Sequence, residues 1–120
     1  MLDEREEKIY QICETDEQYK AQAFFFIYLV LGRCRMMNDK KGHVTGKELL
    51  AAFSDEARAQ YGPMALSVLN HLGFASTLDV GKLVFLMVEN GLLSRTESDT
   101  LDDFKNVYDF DEEFVTNYQW

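Results

Sequence analysis

The stretch AFFFIYLVLG, residues 23–32, is the longest apolar run in this chain of 120 residues and indicates its fold class. Apolar side chains occupy every helical face from Ala21 to Leu31, which is typical of a helix surrounded by protein. The run is too short to cross a bilayer, for which about 20 apolar residues are needed. We therefore predict that it forms the central, buried helix of a soluble domain.

Capping patterns occur on both sides of this run. Thr15 and Gln18 have the spacing of a capping box, which predicts that the central helix begins there. Thr45 and Glu48 repeat the pattern and predict the start of the next helix.

Proline and glycine divide the second half of the chain. Pro63, the only proline, suits the first turn of a helix that Gly73 ends. Ser76 or Thr77 is the expected cap of the following helix, which stops at Gly91. These signals predict two consecutive helices after the one that begins at Thr45.

Three short stretches have the composition of strands, namely HVT at 43–45, LLSRT at 92–96 and NVYDF at 106–110. Combined with a helical hairpin at 67–87, their order resembles a winged helix-turn-helix. The sequence therefore predicts a mainly α fold with a small β-ribbon, winged-helix-like, in a single domain.

This single domain, 1–120, is expected to have three parts. Residues 1–42 are the N-terminal helices, residues 43–110 the core, and residues 111–120 an aromatic and acidic C-terminal segment. A chain of this length is near the usual size of one domain.

The net charge is -9, and the acidic residues concentrate at the two ends. Such a molecule repels nucleic acid and anionic membranes as a whole, because both bind through Lys and Arg. The helix that would read DNA in a winged helix offers only Lys82 against Asp79 and Glu89. DNA and membrane binding are therefore not expected.

One local stretch, 33–47, is basic. Its opposing acid is Asp39 alone. It is either a solvated helix end, where cations suit the helix dipole, or a surface for RNA or a ribonucleoprotein. The candidate RNA-binding residues are Arg33, Arg35, Lys40 and Lys41.

No motif for catalysis or for metal binding is recognisable. The chain has neither G-x-S-x-G nor H-E-x-x-H, and the spacing of Cys13, Cys34, His43 and His71 matches no compact zinc pattern. We expect no catalytic, cofactor-binding or metal-binding residue, and no cofactor. Two cysteines in a chain that can build its own core are expected to be reduced thiols, which suits the cytoplasm.

The chain ends in NVYDFDEEFVTNYQW, residues 106–120, where five aromatic residues alternate with four carboxylates. Two interpretations stay open. In one, this segment clamps onto the core through apolar side chains, namely Val107, Tyr108, Phe110, Phe114 and Tyr118. In the other, Tyr118 and Trp120 anchor a protein partner, since aromatic residues often dominate binding energy.

The region 43–110 and the residues just after it resemble a family of small hypothetical proteins found mainly in planctomycete and verrucomicrobial bacteria, of unassigned function. The matching pieces are HVTGKELL, YGPMA, STLDVGKLVFLMVENGLL, RTESD and DFKNVYDFDEEF. The chain departs from the family pattern at Leu72, where a Trp is expected, and at 79–81, where DVG replaces D-F-G. The resemblance implies membership and a bacterial source but no catalytic residues.

These observations together predict a non-enzymatic protein-interaction or regulatory module in the cytoplasm. Its partner is expected to be a protein, another copy of the chain included. The alternative is RNA or ribonucleoprotein binding through the basic stretch 33–47.

Overall fold

The computed structural model describes residues 3–38, 45–93 and 101–116. The described chain forms α1 (Glu4–Thr15), α2 (Ala21–Asn38), α3 (Gly46–Tyr61), α4 (Ala65–Leu72) and α5 (Thr77–Glu89). Shorter helical turns cover Gly62–Met64, Leu101–Phe104 and Glu112–Thr116. Buried residues from α1 through to the C-terminal segment join in one hydrophobic cluster.

The prediction of a β-ribbon is wrong, because no strand occurs within 3–38, 45–93 or 101–116. Thr45 caps α3, and 106–110 is a turn that leads into the last helical residues. Of the other two predicted strands, residues 43, 44 and 94–96 lie outside the described residues. The physical reason is that side chains, not backbone pairing, hold 106–110: the Tyr108 hydroxyl donates to the Leu50 carbonyl at 2.8 Å. The winged-helix interpretation fails with it, while the mainly α prediction holds for the described residues.

Helix α3 organises the core around Phe53. This ring contacts Phe26 of α2 at 5.3 Å between centroids, Phe74 after α4 at 5.2 Å, and Phe110 at 6.0 Å. All four rings are buried. Edge-to-face and offset contacts of this kind add to the free energy of burial, so Phe53 ties three separate parts of the chain to α3.

The cap of α3 follows the prediction. The Thr45 hydroxyl accepts from the Glu48 amide at 3.2 Å, and the Glu48 carboxylate accepts from the Thr45 amide at 3.0 Å. Gly73 ends α4 with φ of 117°, a conformation that favours glycine. A methyl group at Gly73 would also lie 2.2 Å from the Gln18 carbonyl oxygen.

The predicted cap of the central helix is wrong. Thr15 is the last residue of α1, and its hydroxyl donates to the Ile12 carbonyl at 3.1 Å. α2 begins only at Ala21. The intervening link is held by a tertiary contact, in which the Lys20 amide donates to the Leu72 carbonyl at 3.0 Å, and a local capping pattern does not reveal such a contact.

Phe104 fills a slot between two helices. A methyl group at Gly46 would lie 3.3 Å from its ring, and one at Gly81 would lie 2.5 Å from its Cγ. The Thr77 hydroxyl donates to the Phe104 carbonyl at 2.6 Å and accepts from the Val107 amide at 3.3 Å. The two glycines and Thr77 therefore place residues 104–116, which we call the C-terminal segment from here on.

The C-terminal segment packs onto the core through apolar side chains, as the first of the two interpretations predicts. Phe110 and Phe114 are buried, and burial raises the pKa of the half-buried Tyr108. Arg58 donates both to the Glu113 carbonyl, at 3.0 Å, and to its carboxylate. The Val107 side chain, however, is exposed, and only its backbone amide contacts the core. Tyr118, the last predicted member, lies outside the described residues.

We predict that Gly81→Ala lowers the free energy of unfolding by about 1–3 kcal/mol, because the added methyl group collides with the base of the Phe104 side chain. Gly32→Ala is the matched control, since nothing lies within 4 Å of the added atom. It should raise stability by about 0.5–1 kcal/mol through helix propensity alone. Chemical denaturation at low protein concentration measures the free energy of unfolding of both variants. Equal effects would contradict the close packing of Phe104 against Gly81.

We predict that Tyr108→Phe lowers the free energy of unfolding by about 1 kcal/mol, because it removes the hydrogen bond from the Tyr108 hydroxyl to the Leu50 carbonyl. Tyr10→Phe is the control, since that side chain is 45% exposed. Urea denaturation compares the two variants. If Tyr108→Phe matches the wild type, the hydroxyl does not hold the segment.

Candidate protein-binding interface

One side of α2 is not covered by the rest of the described chain. Leu29 is 51% exposed and Met36 is 84% exposed, Gly32 is exposed, and Phe25 is half-buried. These four residues follow one another at helical spacing and share one side of the helix. We call them the outer face of α2. The prediction that α2 is buried on every side is therefore wrong for this face.

The side of the outer face toward α3 carries an ion pair. Arg33 Nε donates to Glu56 Oε1 at 2.8 Å, and Gln60 donates to Glu56 Oε2 at 2.8 Å. Burial raises the pKa of the Glu56 carboxyl, but these hydrogen bonds and the charge of Arg33 outweigh it, so the pKa lies below its ordinary value. Glu56 is therefore ionised at neutral pH and holds Arg33 against α3.

The opposite side of the outer face is closed by Tyr28. Its hydroxyl donates to the Leu92 carbonyl at 3.0 Å, and the Arg5 guanidinium lies over its ring, 5.7 Å from the centroid. Polar and charged groups thus flank the apolar outer face on both sides.

The candidate RNA-binding residues do not form one surface in the described chain. Arg33 is paired with Glu56, whereas Arg35 is exposed and forms no ion pair with the described residues. Two positions apart on a helix, they point about 200° apart. Lys40 and Lys41 lie outside the described residues. The protein-binding candidates Tyr118 and Trp120 also lie outside them.

A hollow of about 280 Å³ lies between the α1–α2 link and α5, lined by Asp16, Gln18, Tyr19, Lys82, Phe85, Leu86, Glu89 and Leu101. Ligand sites usually have a volume of roughly 300–1,000 Å³. Two of its polar groups are already engaged, because Tyr19 donates to the Asp79 carbonyl at 2.6 Å and Gln18 to the Asp79 carboxylate at 3.2 Å. Its lining contains no Ser, Cys or His, and its ionisable side chains are those of Asp16, Tyr19, Lys82 and Glu89.

Metal-binding residue types do not cluster in the described ranges, where no group of three or more His, Cys, Asp or Glu is placed to hold an ion. Cys13 Sγ donates to the Tyr19 carbonyl at 3.7 Å, and Cys34 is buried in the core. His71 is exposed on α4, while His43 lies outside the described residues.

Within the described part of the chain, no single helix has the length and apolarity to cross a membrane. The pair Gly46–Leu72 and Thr77–Glu89 meets that criterion only when taken together, and it is bent by 55°.

Comparisons with family models, with curated proteins and with solved structures give no match to this chain.

Sequence reasoning missed the outer face because the whole run around it is apolar. A weak signal exists: the line of positions 22, 25, 29, 32 and 36 contains Gln22 and Gly32, which interrupt the large apolar residues. A polar residue and a glycine on one helical line indicate the side least suited to a packed core.

We predict that Glu56→Gln lowers stability by about 1 kcal/mol at pH 7, because it removes the charge that pairs with Arg33. Since the folded pKa of Glu56 is lowered, the stabilisation is present above the unfolded value of about 4.3 and is lost as pH falls through the folded value. The difference between variant and wild type should therefore shrink below about pH 4.

Urea denaturation between neutral and acid pH measures this effect, with Glu17→Gln, an exposed carboxylate in the α1–α2 link, as control. A difference that stays constant with pH would show that the ionised carboxylate is not what stabilises the pair.

Proposed function

We propose that this protein is a non-enzymatic protein-interaction module of the cytoplasm that binds its partner through the outer face of α2. The observation that carries the proposal is the exposure of Leu29 and Met36 on one side of a helix whose opposite side is buried. Grouped apolar side chains with a polar rim are characteristic of protein-binding surfaces.

The composition of the outer face suits this role. Met36 is flexible and polarisable, so it adapts to the surface of a partner. Phe25 and Leu29 supply rigid apolar area on the preceding turns. The Arg33–Glu56 pair and Arg5 provide charged groups at the rim, where hydrogen bonds set orientation more than affinity.

The terminal pair Tyr118 and Trp120 remains proposed as a second contact for a partner, on the ground of residue type alone. Membership in the planctomycete and verrucomicrobial family likewise remains a proposal that rests on the quoted motifs. Neither is needed for the role of the outer face.

RNA or ribonucleoprotein binding is the second candidate. The observation in its favour is Arg35, a cation that is exposed and forms no ion pair with the described residues. Replacing Arg35, Lys40 and Lys41 together should then reduce RNA binding and weaken its dependence on salt. Binding that survives those replacements would eliminate this candidate.

We predict that Met36→Glu lowers recovery of the partner at least about tenfold in a crosslinked pull-down from the native host. The reason is that the new carboxylate lies in the contact and loses its water when the partner binds, which costs free energy. Leu29→Glu should act in the same way. Met64→Glu is the matched control, since Met64 is also an exposed methionine but lies in the turn before α4.

Circular dichroism checks that all three variants keep the helical content of the wild type. The pull-down is run at low and high salt, with proteins and nucleic acid identified together. Equal recovery by Met36→Glu and Met64→Glu would refute the outer face as the binding surface.

A further inference from the structure

We infer that the partner of the outer face is a second copy of this chain, with the two α2 helices packed against each other across Gly32. This inference rests on the proposed function, since it names the occupant of the same face.

Gly32 is the first argument, because the fold of one chain does not explain it. Among the described glycines, Gly46 and Gly81 make room for Phe104. The others, Gly62, Gly73 and Gly91, have positive φ. Gly32 lies inside α2, where glycine is less favourable than alanine, yet an added methyl group would meet nothing within 4 Å. A helix from outside that approaches closely would use this space.

The shape of the outer face is the second argument. Leu29 precedes Gly32 by three residues and Met36 follows it by four, so two large side chains flank a gap on one side of the helix. Such a surface is complementary to itself, because the side chains of one copy fit beside the glycine of the other. A two-fold axis uses the same patch on both copies, and ridges that enter grooves are the usual mode of helix packing.

Charge is the third argument. The chain carries a net charge of -9, so two copies repel each other over most of their surface. α2 has no acidic residue, and its two arginines include Arg33, which Glu56 neutralises. The outer face is therefore a place where identical acidic chains can approach with little repulsion.

The direction of packing follows from the same charges. Arg35 lies near the basic end of α2, and the sequence after it adds Lys40 and Lys41. An antiparallel pair separates the two basic ends and opposes the helix dipoles, whereas a parallel pair would bring like charges together.

An antiparallel two-fold also gives Arg35 a partner. Arg35 follows Tyr28 by two helical turns and so lies on the same side of α2, the side where Arg5 of α1 covers the Tyr28 ring. The two-fold axis of such a pair lies in the interface and is perpendicular to α2. The α1 helices of both copies then lie on the same side of the helix pair. Arg35 then lies on the side of the first turn of the partner's α1, where three acids, Glu4, Glu6 and Glu7, outnumber the one cation, Arg5.

The size of the face sets the expected strength. From Phe25 to Met36 the outer face extends about 17 Å along one helix. One side of a helix of this length buries less area than the roughly 800 Å² per partner of a standard interface. We therefore expect dimerisation that depends on protein concentration.

Analytical ultracentrifugation of the full chain, from micromolar to millimolar concentration, tests the inference. The wild type should pass from monomer to dimer, while Gly32→Leu and Met36→Glu should stay monomeric. Both positions are exposed, so these variants should keep the fold, which circular dichroism checks. Met64→Glu should dimerise like the wild type.

A wild type that is monomeric throughout, or a dimer that Gly32→Leu and Met36→Glu leave intact, would overturn the second-copy inference. The pull-down separates this result from failure of the proposed function. If a monomeric wild type captures a host protein that Met36→Glu loses, only the second-copy inference fails. If Met36→Glu changes neither dimerisation nor capture, both fail.

Discussion

The packing of Phe53 joins the separate parts of the described fold. Its ring lies against Phe26, Phe74 and Phe110, which come from α2, from the link after α4 and from the C-terminal segment. These parts are far apart in the sequence, and no hydrogen-bonded sheet joins them among the described residues. Side-chain packing therefore orders the helices, and the position of α2 against α3 follows from it.

This arrangement explains why α2 has an open side. α3 covers one flank of α2, where the Arg33–Glu56 pair closes the contact, and Tyr28 with Arg5 closes the other. The described helices leave the remaining side to solvent, although it carries Leu29 and Met36. Apolar groups in water are unfavourable for an isolated chain, and burial against a partner would remove that cost. The proposed function and the self-association inferred from Gly32 both start from this mismatch.

Predictions from sequence succeeded where the determining interaction is local. The capping box of Thr45 and Glu48 and the glycine stop at Gly73 depend on a few neighbouring residues, so their patterns were sufficient. They failed where a distant contact decides. Residues 106–110 have strand-like composition but are held by Tyr108 on the Leu50 carbonyl, and the start of α2 shifts past Thr15 because Lys20 bonds to Leu72. Arg33, which lies beside the candidate site, was predicted from sequence as an RNA-binding residue. Its ion pair with Glu56 could not be predicted, because it depends on α3 lying beside α2.

The sequence by itself determined the helical character of the described chain and the main positions where helices start and stop, because caps, glycines and the apolar run around 23–32 act over one or two turns. Which side of α2 stays open depends on how the helices pack. A helix that is apolar all round has no preferred side of its own, so the placement of α1 and α3 determines which residues remain exposed. The same placement turns Arg33 inward to Glu56 and leaves Arg35 in solvent.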